Sequence, residues 1–161
     1  MLLSCQMTST FAAEPAALTT IRRVLLWTLV LGCAGTLAEL LLIGHDESWP
    51  QFVPLVLLSS GIVIGVAALA APSITGLRAL KWLMLVFLVS GAVGVGLHYR
   101  GNREFELERQ PTAGGFSLFS KTVTGATPVL APGSMTLLGV VGLALTYRHP
   151  LLRSSSETLS S

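Results

Sequence analysis

Residues 52–71, FVPLVLLSSGIVIGVAALAA, form a run of 20 residues without a charged side chain. A helix needs roughly 20 predominantly apolar residues to cross the hydrocarbon core of a bilayer. A spanning segment of this length must be helical, because lipid offers no partners for unsatisfied backbone groups. This stretch therefore predicts a membrane-spanning helix and decides the fold class.

Three further windows, residues 24–43, 82–99 and 129–147, are apolar enough to span. Charged residues make up only 11% of the chain, against about 25% in soluble domains. The connections 44–51 and 72–81 are short, so the helices that they join are expected to be antiparallel neighbours. The sequence predicts an all-α membrane protein with four transmembrane helices in an antiparallel bundle.

This prediction divides the chain into three parts. Residues 1–21 form an N-terminal tail, residues 22–147 the four-helix transmembrane domain with an outer loop at 100–128, and residues 148–161 a disordered C-terminal tail. Lys and Arg favour the cytoplasmic side of short loops. With both termini inside, six basic residues lie inside (Arg22, Arg23, Arg78, Lys81, Arg148, Arg153) and four outside (Arg100, Arg103, Arg109, Lys121). The bias predicts N-in/C-in topology, and the outline of this multi-pass chain resembles small bacterial inner-membrane proteins.

The outer loop begins with HYRGNREFELE, in which Glu104, Glu106 and Glu108 alternate with Phe105 and Leu107. A period of two predicts an extended segment with one acidic and one apolar edge. We expect the three glutamates to form a partner-binding edge, because adjacent carboxylates repel unless a cation or basic partner neutralises them.

A second element is predicted later in the outer loop. Phe116, Phe119, Val123 and Ala126 recur at helical spacing. This pattern predicts a short interfacial helix with its apolar side toward the membrane.

Glu39 is the one charged residue inside the first window. An ionised, unpaired carboxylate in a spanning helix is costly, so such residues are paired, protonated or functional. The third helix is expected to bring His98, Tyr99 and Arg100 to the same level. These four residues form a candidate proton or cation site, and a structural, hydrogen-bonded glutamate is the alternative.

Two histidines, His45 and His98, emerge at the outer side near Asp46, Glu47 and Glu104. Imidazole and carboxylate groups can bind a divalent metal, but the spacing matches no diagnostic metal motif. We expect no metal, with His45 and His98 as the only weak candidates.

Small residues recur along the predicted helices. In lipid, helices associate through close van der Waals contact between small residues. Such faces pack either within this chain or against another subunit. The helix-packing candidates are Gly61, Gly65, Gly91, Gly94, Gly139 and Gly142.

Four short helices with a glutamate in the first, at Leu37-Ala38-Glu39-Leu40, resemble the small multidrug resistance transporters. The resemblance implies a glutamate that exchanges protons against cationic drugs. This chain differs by its long third loop and by a glutamate away from the centre of its helix.

No nucleophile elbow, phosphate-binding loop or spaced Cys/His set is present in the sequence. We therefore expect a non-enzymatic protein without a cofactor. Its expected partners are the lipid bilayer and other membrane subunits or a second copy, not nucleic acid. The sequence favours an accessory or assembly subunit of a membrane complex. The alternative is a proton- or cation-coupled small transporter or channel module that uses Glu39.

Overall fold

The computed structural model describes residues 15–45, 49–125 and 127–152. Across these ranges the chain is helical and contains no strand, which confirms the prediction of an all-α protein. The described residues form five α-helices: α1 Ala16–Leu42, α2 Trp49–Ala70, α3 Ile74–Arg109, α4 Gly115–Val123 and α5 Gly133–Thr146.

Three of these helices, α1, α2 and α3, are long and apolar enough to cross a membrane. The fourth predicted window contains only α5, whose 14 residues extend over about 21 Å. Residues 129–132 before it form successive turns. Proline lacks a backbone donor, and Pro128 and Pro132 bracket these turns, so a regular helix begins only at Gly133.

The four apolar helices α1, α2, α3 and α5 form a ring in which each packs against two others. Gly61 on α2 faces Cys33 on α1, whereas Gly65 faces Val30. The contact positions move up one helix and down the other, so α1 and α2 are antiparallel, as their short connection predicts.

The core lies inside this ring and receives a side chain from every one of its helices. Leu29, Leu58 and Phe87 are fully inaccessible, and Leu138 from α5 completes the cluster. The surface of the ring that faces away from the core is also apolar. Its members include Leu31, Val63, Val89 and Leu137, one from each helix of the ring, and each is at least 60% exposed. Helices that are apolar all round are typical of a membrane environment.

The six candidate packing glycines lie at contacts within this chain. A Cβ atom on Gly61 or Gly65 would meet α1 side chains. One on Gly91 or Gly94 would meet α5 or the residue just before it, and one on Gly139 or Gly142 would meet α3. The contact positions run in opposite directions along α3 and α5, because Gly91 faces Thr136 while Gly139 faces Met84. The close-approach faces are therefore already filled by the protein's own helices.

The prediction of an extended segment at residues 104–108 is wrong, because α3 continues as one helix to Arg109. Once a helix is nucleated, each added residue gains a hydrogen bond, and Glu, Arg and Leu are good helix formers. The predicted outer loop 100–128 accordingly begins as helix. With 36 residues, α3 is about 54 Å long and extends well beyond a hydrocarbon core of about 30 Å.

Two boundaries of the predicted domains also differ. α1 begins at Ala16, inside the segment assigned to the N-terminal tail. At the other end, residues 150–152 form a short helical turn, and the rest of the predicted C-terminal tail lies outside the described residues.

The short helix expected in the outer loop is present as α4. Phe116 and Phe119, on the side that is expected to face the membrane, are exposed, whereas Leu118 and Thr122 are buried within the protein. Ala126 lies outside the described residues.

Candidate functional site

The last three turns of α3, residues 99–109, together with α4 form what we call the outer module, after the outer loop predicted at 100–128. Its centre is Asn102, which is 4% exposed. The Asn102 Nδ2 atom donates to the carbonyl oxygens of Thr122 at 2.9 Å and Thr127 at 2.8 Å. Its Oδ1 atom accepts from the Thr127 amide at 3.2 Å and the Thr127 hydroxyl at 2.6 Å. One amide side chain thus ties the end of α4 and the following turn to α3.

Further contacts close this junction. A Cβ atom on Gly125 would lie 2.8 Å from Asn102 Nδ2, so the turn can approach α3 only with glycine there. Lys121 Nζ donates to Gln110 Oε1 at 2.7 Å. The outer module is therefore held by specific polar contacts as well as by the apolar side chain of Leu118.

Aromatic side chains cover the free side of α4. The ring of Phe119 lies 6.3 Å from that of Tyr99 and 6.2 Å from that of Phe116. Phe116 is 81% and Phe119 50% exposed. Aromatic pairs at such distances attract each other. Tyr99, a candidate for the proton site, instead belongs to this aromatic surface.

A polar cleft of about 470 Å³ lies between α3 and α4. The Glu106 side chain lines it and is largely buried, with its Oε1 atom 3.7 Å from Arg109 Nη1. Lys121 lines the opposite side. Side chains of both charge signs therefore line the cleft.

The three glutamates of the predicted partner-binding edge do not share one face. Residues four apart lie together on a helix, whereas residues two apart do not. Glu104 and Glu108 therefore face outward, and Glu106 turns into the cleft. Arg100 donates to Glu104 Oε1 at 2.8 Å, and both side chains are exposed, so this pair contributes little stability.

A second cavity, the outer crevice, of about 370 Å³ opens between α2 and α3. His45 and His98 line it with the polar residues Gln51 and Ser90 among mostly apolar neighbours. His98 Nδ1 lies 3.1 Å from the Pro128 carbonyl oxygen. A carbonyl only accepts, so Nδ1 carries the hydrogen in this contact and Nε2 is the other ring nitrogen available to a ligand.

The two weak metal candidates therefore share one cavity, which the sequence spacing did not reveal. In the part of the chain that the structure describes, no group of three or more His, Cys, Asp or Glu side chains is arranged to hold a metal. Asp46 and Glu47 lie outside that part. Two imidazoles in a mainly apolar crevice can hydrogen-bond a polar group, as interfacial histidines do.

Glu39 is not brought together with its expected partners. It is exposed on α1, and α1 packs against α2 and α5, whereas His98, Tyr99 and Arg100 belong to α3. The carboxylate has no hydrogen bond or ion pair among the described residues.

The register of the core also separates Glu39 from His98. A Cβ atom on Gly61 would lie 3.0 Å from Cys33 Sγ and 3.2 Å from Phe87 Cζ. These three residues therefore lie at a similar height along the helix axes. Glu39 is six residues beyond Cys33 and His98 eleven beyond Phe87, which puts His98 roughly 7.5 Å farther along the helix axes.

Sequence reasoning missed two buried polar residues, Asn102 and Arg22. Arg22, 8% exposed, was counted only as an inner basic residue. Its guanidinium donates to the carbonyl oxygens of Leu145, Tyr147 at 3.1 Å and Arg148 at 3.4 Å. It thus caps the C-terminal end of α5, where the helix dipole is negative. No local signal in the sequence distinguishes either residue from exposed neighbours of the same type.

Comparisons with protein-family models, curated proteins and solved structures gave no match to this chain. The likeness to small multidrug resistance transporters at residues 37–40 therefore remains a resemblance of a few positions.

Proposed function

We propose that this chain is a non-enzymatic inner-membrane protein of four spanning segments that serves as an accessory or assembly subunit of a membrane complex. The observation that carries the proposal is the outer module. A simple connection between α3 and α5 needs neither a buried asparagine clamp nor exposed aromatic side chains on a fixed helix.

A fourth crossing by α5 is supported by its contacts at both ends. A Cβ atom on Gly94 would lie 2.7 Å from Pro132 Cβ, in the outer half of α3. At the other end, α5 is capped by Arg22 from the first turns of α1. The turns at 129–132 lengthen the short helix, so the chain returns to the side on which α1 begins.

The N-in/C-in orientation can be tested by cysteine labelling in intact cells. In a Cys5→Ser background, Ser117→Cys on α4 is expected to react with a membrane-impermeant maleimide. Ser155→Cys in the C-terminal segment should react only after permeabilisation. Cys33 is buried and can remain as an internal control. Labelling of Ser155→Cys but not Ser117→Cys in intact cells would reverse the orientation.

We infer that the partner binds through the aromatic surface of α4 and the adjoining cleft. Interface centres are enriched in aromatic residues, and a few such residues supply most of the binding energy. Phe116 and Phe119 stand on a helix that is already fixed to α3. Binding therefore does not have to order them, which lowers its entropic cost.

The test compares variants during purification in mild detergent with quantitative mass spectrometry of co-purifying proteins. The double variant Phe116→Ser and Phe119→Ser is expected to reduce the yield of a specific partner at least tenfold. Hot-spot residues typically contribute 2 kcal/mol or more each. Phe52→Ser is the matched control, because Phe52 is also an exposed aromatic but lies on α2.

Two results would count against the assembly role. One is recovery of the wild-type protein as a lone monomer in several gentle detergents. The other is equal loss of the partner in the α4 double variant and in Phe52→Ser, because a general loss of surface hydrophobicity would then explain both.

Glu39→Gln is expected to be nearly silent in expression, folding and partner yield. The amide keeps the size of the side chain, and no described contact of Glu39 is lost. The transporter alternative requires a path from water to Glu39, yet Glu39 lines neither the polar cleft nor the outer crevice. A pH-dependent transport or growth phenotype of Glu39→Gln in an otherwise intact protein would favour the transporter over the subunit.

A further inference from the structure

The inner cavity lies at the end of the ring opposite the outer module and has a volume of about 280 Å³. α1, α2, α3 and the end of α5 all contribute to its wall. Its polar lining consists of Thr19, Arg22, Arg23 and His149. Thr19 and Arg23 are exposed, so the cavity opens at the surface beside these two residues.

The deeper wall of the inner cavity is apolar. Leu26, Ala68, Leu77 and Leu145 line it, and each is less than 9% exposed. A cavity with basic groups at its mouth and aliphatic groups behind them is matched by a ligand with an anionic head and a hydrocarbon part.

The charge distribution of the described residues adds to this match. Their carboxylates, Glu39, Glu104, Glu106 and Glu108, lie in the outer half of α1 or in the outer module. Arg22, Arg23, Arg78, Lys81 and Arg148 all lie at the end that carries the inner cavity. This end of the described protein is therefore positive, and it attracts anionic groups.

Arg22 gives the cavity a fixed part. Its bonds to the carbonyl oxygens of Tyr147 and Arg148 hold the guanidinium between α1 and α5. Arg23 is the neighbouring, exposed guanidinium on the same cavity. One basic group is thus preorganised, and the second is free to close on a ligand at the mouth.

We propose that the inner cavity binds the phosphate head group of an anionic phospholipid, with the start of its acyl chains against the apolar wall. Basic pockets between spanning helices bind such head groups. A free phosphate ion shares the head-group chemistry but gains nothing from the aliphatic wall. This site is independent of the partner surface on α4.

The experiment uses the purified full-length protein in a non-ionic detergent and native mass spectrometry with added lipid. Wild type is expected to bind phosphatidylglycerol at least fivefold more tightly than phosphatidylcholine with the same chains. Arg23→Gln should lose this preference, because each basic residue near an anionic lipid contributes about fivefold in affinity. Arg103→Gln, which removes an exposed charge from the outer module, should retain it.

Three results would overturn the proposal. Equal affinity for the two lipids would show that the inner cavity does not recognise an anionic head group. Equal losses in Arg23→Gln and Arg103→Gln would indicate a general charge effect. Displacement of phosphatidylglycerol by millimolar inorganic phosphate would show that the cavity holds a free ion. Unchanged thermal unfolding of Arg23→Gln without added lipid serves as the folding control, and Arg22→Gln is avoided because it removes the cap of α5.

Discussion

Gly139→Ala is expected to lower the free energy of unfolding by about 1–3 kcal/mol, the usual cost of overpacking a close contact. The added Cβ atom would lie 2.8 Å from the Met84 carbonyl oxygen and 3.0 Å from the Leu88 amide nitrogen. Both are backbone atoms that no rotamer change can move, so α3 and α5 must separate. Denaturant unfolding of the protein in mild detergent measures the loss.

Gly91→Ala tests the same interface from the other helix. Its Cβ atom would lie 2.6 Å from the Thr136 amide nitrogen and 2.9 Å from the Pro132 carbonyl oxygen. We expect a loss of similar size, again about 1–3 kcal/mol. Because both variants force apart the same two helices, their combination should be less than additive.

Gly35→Ala and Gly96→Ala are the matched controls. Both glycines lie within helices, yet a Cβ atom on either would meet nothing within 4 Å. Alanine favours the helix by up to about 1 kcal/mol over glycine, so these variants should be neutral or more stable. If all four substitutions changed stability alike, the close approach of α3 and α5 would not be what glycine provides.

Asn102→Ala is expected to release α4 from α3 while leaving the ring of apolar helices intact. The substitution removes four hydrogen bonds and leaves the backbone groups of Thr122 and Thr127 without these partners. Loss of these buried hydrogen bonds should reduce the free energy that holds α4 to α3 by about 2–3 kcal/mol. Hydrogen exchange within residues 115–125 should then become about 30- to 150-fold faster.

Exchange within the core of α2 should not change, because distant sites behave independently. The neighbouring Arg103→Ala, which removes an exposed side chain, serves as the control and should leave exchange in α4 as it is. Equal acceleration in both variants would mean that Asn102 is not the clamp. If the aromatic surface of α4 binds the partner, Asn102→Ala should also weaken co-purification.

Most of the helical architecture could be predicted from local sequence. Residues 52–71 predict α2 because the hydropathy and length of a segment indicate directly whether it lies in water or in lipid. The spacing of apolar residues alone predicts helix α4 but not which of its side chains pack against α3. Phe116 and Phe119 lie on its apolar side, whereas the burial of Leu118 and Thr122 depends on the position of α3, which local spacing does not specify.

The acidic stretch illustrates a different limit. Alternation of Glu104, Phe105, Glu106 and Leu107 indicates a strand when read alone. The segment continues a helix that begins some 30 residues earlier at Ile74. Extending an existing helix costs less free energy than nucleating a new one. Only this continuation turns Glu106 into the cleft and Glu104 outward.

The sequence by itself determined that the long helices are apolar enough for a membrane, where the centres of these helices lie and the antiparallel order of neighbours joined by short connections, but not where α1, α3 and α5 begin or end. Tertiary structure alone decided what its polar residues do. Asn102 meets Thr127 across 25 positions and Arg22 meets Tyr147 across 125, while Glu39 is exposed on α1 and His98 on α3 contacts Pro128. Hydropathy is a property of a local segment, whereas the partner of a polar group depends on which distant segment packs beside it.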